Sequence, residues 1–236
     1  MKDTNNPNLI ASLGRYLNSS TYVLKDFAEE AAKAENIELL QQLAIELSPE
    51  ALIMTDTRSL NSKKNELLEK AGYTVHKKKL FVEHNLNSLP NNPKGLISLK
   101  SLAQLGKAKF IKLLTMAAEG DPFEDGHNSP DEEYAELVAH AGSAFNANNW
   151  YIAFHQNSAL GVLLPQVYED KPSEGSLFYI GVLPKYRGLG YGSKLHALGL
   201  WILKSRAVKR YVGSTDLSNK AMVAIFMKNG CRKVME

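Results

Sequence analysis

Three glycines at alternate positions, Gly188, Gly190 and Gly192, lie in the run Val182-Leu183-Pro184-Lys185-Tyr186-Arg187-Gly188-Leu189-Gly190-Tyr191-Gly192-Ser193. The apolar residues before it, Leu177 to Val182, predict a strand, and the periodic residues after it predict a helix from about Gly190 to Ser205. Glycine admits positive φ and puts no side chain in the way. Consecutive backbone N–H groups can then turn inward as an anion nest, to which the following helix adds the positive end of its dipole. This is the chemistry of a phosphate or diphosphate seat. The plainer alternative is a tight turn that holds no ligand.

The charge distribution favours the anion. The chain of 236 residues carries a formal +3, from 28 basic and 25 acidic side chains. Residues 175–236 hold 11 of the basic and 2 of the acidic ones, whereas residues 95–174 hold 5 and 11. A block so basic raises the local concentration of anions, although folding can also mix the signs. A P-loop is absent, because no Gly-Lys-Ser/Thr follows four intervening residues. The dinucleotide fingerprint fails at its last glycine, where Ser193 stands.

One phosphate motif remains. Arg187-x-x-Gly190-x-Gly192, after a strand ending Val182-Leu183-Pro184, resembles the pyrophosphate loop of the GCN5-related N-acetyltransferase superfamily. A second block is similar too: a strand at 211–215, Asn219, and a helix ending Lys228-Asn229-Gly230-Cys231. The resemblance covers about residues 95–236 and implies an enzyme that uses acetyl-coenzyme A. It implies that the amides of Gly188, Leu189, Gly190, Tyr191, Gly192 and Ser193 hold the pyrophosphate, with Arg187 part of the same cofactor-binding loop. Ile180, Gly181 and Val182 would lie on the splayed strand that the pantetheine arm joins, with the Val182 N–H or its neighbour polarising the thioester carbonyl. Asn219 would contact the cofactor arm, and Phe226 would lie beside it.

Two departures from the family pattern concern proton transfer. The family's glutamate base, five residues before the asparagine, is here Ser214, and its tyrosine acid, seven residues after, is Phe226. Direct attack by an uncharged amine on a well-placed thioester needs neither, since proximity supplies much of the rate. A base acting through water is sought in Asp216, Glu174 or Glu169, with Asp216 preferred because it ends a strand; capping the next turn is its competing role. The expected function is acetyl transfer from acetyl-coenzyme A to a primary amine in a ternary complex. The rival expectation is an idle coenzyme A-binding or regulatory protein, suggested by Ser214 and Phe226. Expected partners are a small-molecule amine or a peptide amine, with a homodimer left open.

Other residues are weaker candidates. His196, beside Leu195 and Leu198, reads as a packing residue, and Cys231 as a buried strand thiol. The acidic stretch Glu119-Gly120-Asp121-Pro122-Phe123-Glu124-Asp125 could attract a cationic amine or be ordinary solvated charge. Six histidines and one cysteine show no metal-ligand spacing. The basic residues lack interleaved stacking aromatics, which speaks against nucleic acid. No apolar run approaches the roughly 20 residues of a membrane span, and the first residues lack the apolar core of a secretion signal. A cytoplasmic protein is expected.

These elements imply an α/β protein with a mixed, twisted central sheet flanked by helices. The segment His84 to Gly95, with two prolines and four asparagines, marks a boundary. The expected organisation is an N-terminal α/β module over residues 1–84, a linker over 85–95 and the acetyltransferase domain over 96–236. In the first part, helical spacing from about Thr21 to Leu47 predicts one helix, Ala51–Thr55 a strand, Ser62 onward a second helix capped by Asn61, and 73–75 with 80–82 a strand pair. An internal echo links the two parts: Met54-Thr55 through Asn61 to Gly72 parallels Val212-Gly213 through Asn219 to Gly230, with the same asparagine-to-glycine spacing. The N-terminal part therefore reads as a degenerate half-acetyltransferase without a glycine loop, whose strands complete or abut the catalytic sheet.

Overall fold

The computed structural model describes residues 13–16, 21–24, 34–47, 52–55, 62–74, 79–89, 95, 97–120 and 129–234. The chain divides into two compact units, residues 1–76 with 234–236, and residues 77–233.

In the first unit, β1 (Gly14–Tyr16) pairs antiparallel with β2 (Thr21–Leu24), and β2 pairs parallel with β3 (Leu52–Thr55). Helix α1 (Ala34–Glu46) makes the crossover and α2 (Ser62–Lys70) follows β3. Tyr22, Leu24, Leu40, Leu43, Leu47, Leu67 and Ala71 form its core. The single helix expected from about Thr21 is corrected here. Alternation at Tyr22 and Leu24, both buried, wins over helical period at 21–24; residues 25–33 lie outside the described residues, and the described helix spans Ala34–Glu46. Of the predicted strand pair at 73–75 and 80–82, Tyr73 and Thr74 lie outside any strand, 75–78 fall outside the described residues, and the second strand is longer than expected.

In the second unit, seven strands run in the order β10-β4-β9-β8-β7-β6-β5. These are β4 (Lys79–Asn85), β5 (Ile97–Ser101), β6 (Tyr151–His155), β7 (Ser158–Val167), β8 (Glu174–Val182), β9 (Arg210–Asp216) and β10 (Arg232–Lys233). All neighbours are antiparallel except β8 and β9. Strand β4 pairs with β9 from Lys79↔Asp216 to Asn85↔Arg210, so the apolar strand that would otherwise form an open edge is covered along its length.

Helices clothe both faces of this sheet. On one lie α6 (Tyr191–Ser205) and α7 (Lys220–Lys228), packed through Leu195, Leu200, Leu203 and Phe226 onto Leu163, Leu177 and Tyr211. On the other lie α3 (Leu102–Leu105), α4 (Lys107–Ala118) and α5 (Pro130–Ala141). Trp150, 2% exposed, anchors that face amid Phe110, Tyr134, Phe145 and Phe178. The amphipathic spacing from Leu102 to Ala118 predicts one helix, but it is split at Gly106, whose φ of 77° and ψ of 151° cannot continue a helix. Helix α5 starts as its sequence predicts. Ser129 accepts the Glu132 N–H and gives its own to the Glu132 carboxylate, Pro130 sits in the first turn, and three acids face the dipole.

Candidate active site

Strand β8 is the spine of the site. It is paired with β7 along its length but with β9 only at Glu174↔Arg210 and Gly175↔Tyr211. Beyond Gly175 the two parallel strands diverge, leaving a cleft between Ser176–Val182 and the rest of β9. Leu183 donates its N–H to the Leu160 carbonyl at 3.0 Å. Strand alternation then turns the Gly181 amide toward β7 and aims the amides of Ile180 and Val182 into the cleft. A bulge in β8 sets this phase. The register passes from Leu164↔Tyr179 to Pro165↔Leu177, leaving Phe178 extra. Phe178 and Tyr179 therefore pack toward α4 and α5, and Ile180 and Val182 toward α6.

The glycine loop leaves the open end of β8. A 3-10 turn over Pro184–Tyr186 leads to Arg187, then Gly188 at φ +74° and Gly190 at φ +77°. Gly190 is the N-cap of α6 in left-handed conformation, and no side chain caps that helix. The first intrahelical bond that enters from the loop is Lys194 N–H to the Gly190 carbonyl. The amides of Tyr191, Gly192 and Ser193 are thus first-turn donors, with the dipole behind them. A Cβ on Gly192 would stand 2.8 Å from Ile225 Cδ1, so α7 packs against this turn and a side chain there would require the end of Ile225 to shift. The basic environment includes Lys185, over the Tyr186 ring at 4.8 Å, and Lys194, over the Tyr191 ring at 5.1 Å.

A buried polar network fixes the first turn of α6 against the sheet. Asn229, at the end of α7, donates through Nδ2 to the Ser193 carbonyl and to His196 Nδ1, both at 2.9 Å. That leaves His196 Nε2–H to face Tyr211 Oη at 3.3 Å, so the contacts select one neutral tautomer. His196 is fully buried, and desolvation, with nearby His84 adding to it, pushes its pKa down to about 3. His196 is a packing residue, as its sequence setting suggested. Cys231 is likewise buried, and burial pushes its thiol up to about 12.

The remaining candidates sort by position. Asn219 caps α7, its Oδ1 accepting the Met222 N–H at 3.0 Å, which leaves the Nδ2 donors of its amide over. Ser214 is exposed on β9. Asp216 ends β9 at the cleft's open end, where its Oδ1 accepts the N–H of Ser218 at 2.8 Å and also its hydroxyl. Phe226 is 1% exposed, its ring against His196 and Tyr211. Glu174 and Glu169 are corrected as candidate bases. Glu174 lies at the opposite end of β8, about 26 Å of extended chain from Val182, with Arg210 Nη1 on its Oε2 at 2.8 Å. Glu169 precedes that same far end and accepts the Ser143 hydroxyl at 2.6 Å. Of the acidic stretch, Glu119 and Gly120 are described and 121–125 lie outside the described residues. Among the described residues no histidine, cysteine and carboxylate cluster is arranged to hold a metal, and no helix is long and apolar enough to cross a membrane.

A β-strand splayed from its parallel neighbour thus feeds a glycine loop at a helix N-terminus within an α/β sheet. Comparison with known proteins gives that arrangement its family. The model of the acetyltransferase (GNAT) family matches residues 112–231, and the chain belongs to this family. Solved structures share the fold over nearly the whole chain. A GCN5-related N-acetyltransferase from Sphaerobacter thermophilus is 15% identical, with a TM-score of 0.63 over 91% of this chain and 70% of that one. An acetyltransferase of the GNAT family from Colwellia psychrerythraea is 14% identical, with a TM-score of 0.60 over 99% of this chain and 87% of that one. A glucosamine N-acetyltransferase region of a fungal multi-domain β-N-acetylglucosaminidase is 13% identical, with a TM-score of 0.63 over 93% of this chain and 29% of that one. Among curated proteins none matches.

Proposed function

We propose that this protein transfers an acetyl group from acetyl-coenzyme A to a primary amine, the amine attacking the thioester directly with both substrates bound. One observation carries the reading: the amides aimed into the β8/β9 cleft at Ile180 and Val182 are followed, after one 3-10 turn, by the glycine loop and the uncapped first turn of α6. The loop fits the ligand's diphosphate, because Gly188 and Gly190 hold positive φ and Gly192 adds no side chain to the first turn of α6.

The amides of Gly188 to Ser193 would hold the diphosphate, and the backbone of Ile180 to Val182 would pair with the pantetheine arm as an added strand. Acetyl-coenzyme A, when bound, supplies the activated acyl group. The Val182 N–H, which points into the cleft, would stabilise negative charge on the reacting carbonyl oxygen. The side-chain amide of Asn219 has donors left for the arm after capping α7. Ser214 and Phe226 carry no group that titrates near neutral pH, so positioning supplies most of the acceleration. Asp216 would draw the acceptor's proton away through water from the open end of β9.

The experiment is thiol release from acetyl-coenzyme A against a panel of small amines and peptide amino termini, alongside calorimetric titration with coenzyme A. Turnover with at least one amine is expected. Tight binding with no turnover for any amine would leave a coenzyme A-binding protein, and absence of binding would remove the reading altogether.

A further inference from the structure

We infer that Arg187 is a positioning residue: its guanidinium ties the cofactor loop to the C-terminal end of α4 instead of binding phosphate. Its Nε–H donates to the Val182 carbonyl at 2.9 Å, and its Nη2 donates to the Ala117 carbonyl at 2.9 Å. Its Nη1 lies beside Gly120, where a Cβ would stand at 3.7 Å. Ala117 is buried in the last turn of α4, whose final carbonyls lack intrahelical partners. That turn has no basic residue of its own, and Glu119 follows it as the C-cap. A cation there is favourable, and Arg187 brings it from 70 residues away.

The consequence is mechanical. Val182 closes β8 at the reacting end of the cleft, and Arg187 opens the glycine loop five residues later. One planar group holds the carbonyl of the first and the end of the helix on the opposite sheet face. The fork geometry is needed, because an ammonium cannot satisfy two carbonyls from fixed directions as a guanidinium does. The cofactor loop, the oxyanion-facing strand end and the start of the segment after α4 are thereby held as one body.

This inference rests on the coenzyme A reading of the cleft, and the test separates the two. Coenzyme A affinity is measured across a series of salt concentrations for the wild type, Arg187→Lys and Arg187→Ala, together with amide hydrogen exchange over 113–120 in the ligand-free proteins. The expected result is that both variants lose affinity by about tenfold, with a salt dependence parallel to that of the wild type, and that both exchange faster at the end of α4. Near-wild-type affinity in Arg187→Lys, a salt slope reduced only in Arg187→Ala, and unchanged exchange would make Arg187 a phosphate ligand and overturn the inference. If the wild type itself binds no coenzyme A, the cofactor reading fails while exchange at α4 still decides whether the strut exists.

Discussion

The two units repeat one topology and differ in what they do with it. Each has an antiparallel strand pair, a helical crossover, a parallel strand and a second helix: β1, β2, α1, β3 and α2 in one, β7, β8, α6, β9 and α7 in the other. From β3 onward the correspondence holds at a constant separation of 158 residues, as from Gly72 to Gly230. Helix α2 spans 62–70 and α7 spans 220–228. Both end in the same set of bonds. Ala71, Gly72 and Tyr73 donate to the carbonyls of Leu67, Glu69 and Leu68, and Asn229, Gly230 and Cys231 to those of Ile225, Met227 and Phe226. Both glycines are left-handed, at φ +95° and +79°.

What separates the units is the connection after the first parallel strand. In the second it carries Lys185, Arg187 and three glycines. In the first, Lys25-Asp26-Phe27-Ala28-Glu29-Glu30-Ala31-Ala32-Lys33 has no glycine and three acids. Neither positive φ nor anion attraction is encoded there. Asn229 corresponds to Ala71, so the first unit also lacks the side chain that pins the loop helix. Scaffold and loop are separable in this chain: the strand–helix–strand arrangement is present twice and the glycine loop once.

The comparison can be broken most severely at the loop. Exchanging Arg187-Gly188-Leu189-Gly190 for Glu-Glu-Ala-Ala, the sequence at 29–32, is expected to lower coenzyme A affinity by about a thousandfold or more, through lost positive φ and added charge repulsion. Calorimetry checks this, and affinity within tenfold of the wild type would show that loop chemistry is not the distinction.

Among the described residues the buried histidine lies in the second unit, and it predicts an acid-sensitive stability. His196 is neutral when folded, with its pKa down at about 3 against 6.5 as the ordinary value. Unfolding below pH 6.5 takes up a proton that the folded state refuses, so its contribution is full above that pH and falls as pH drops toward 3. Between pH 7 and pH 4 this amounts to about 3 kcal/mol. A His196→Gln variant should show a flatter dependence in urea unfolding, and parallel curves would contradict the assignment.

Smaller changes sharpen the contrast at the helix ends. Asn229→Ala leaves the Ser193 carbonyl and His196 Nδ1 without that partner and should cost about 2 kcal/mol, with weaker coenzyme A binding as well. Tyr73 donates to the Leu40 carbonyl at 2.7 Å and ties α2 to α1. Tyr73→Phe should cost about 1 kcal/mol and leave coenzyme A affinity unchanged. An equal loss of affinity in both variants would mean that the units do not divide the work as described.

Much of the second unit was legible because its signals are local. Ser129-Pro130 with Glu132 announces α5, the apolar run before Pro184 announces β8, and the alternating glycines announce the loop. Asn219 and Gly230 bracket α7. The first unit was harder. Its strand β2 is four residues long and merges into a helical spacing that starts only later, so period alone misplaces it. The bulge at Phe178 depends on how Pro165 meets β8, which no local pattern encodes. Arg187 reads in sequence as part of the cofactor loop, with nothing to show where its side chain goes. Its partners are the backbone carbonyls of Val182 and Ala117, and carbonyls leave no trace in residue identity.

The most direct measurement follows the amide resonances of Gly188 to Ser193 in the intact chain while coenzyme A is added. Saturable shifts are expected in these amides, with those of Ile180 and Val182 moving in step. A folded protein whose loop amides stay in place at saturating coenzyme A would contradict it.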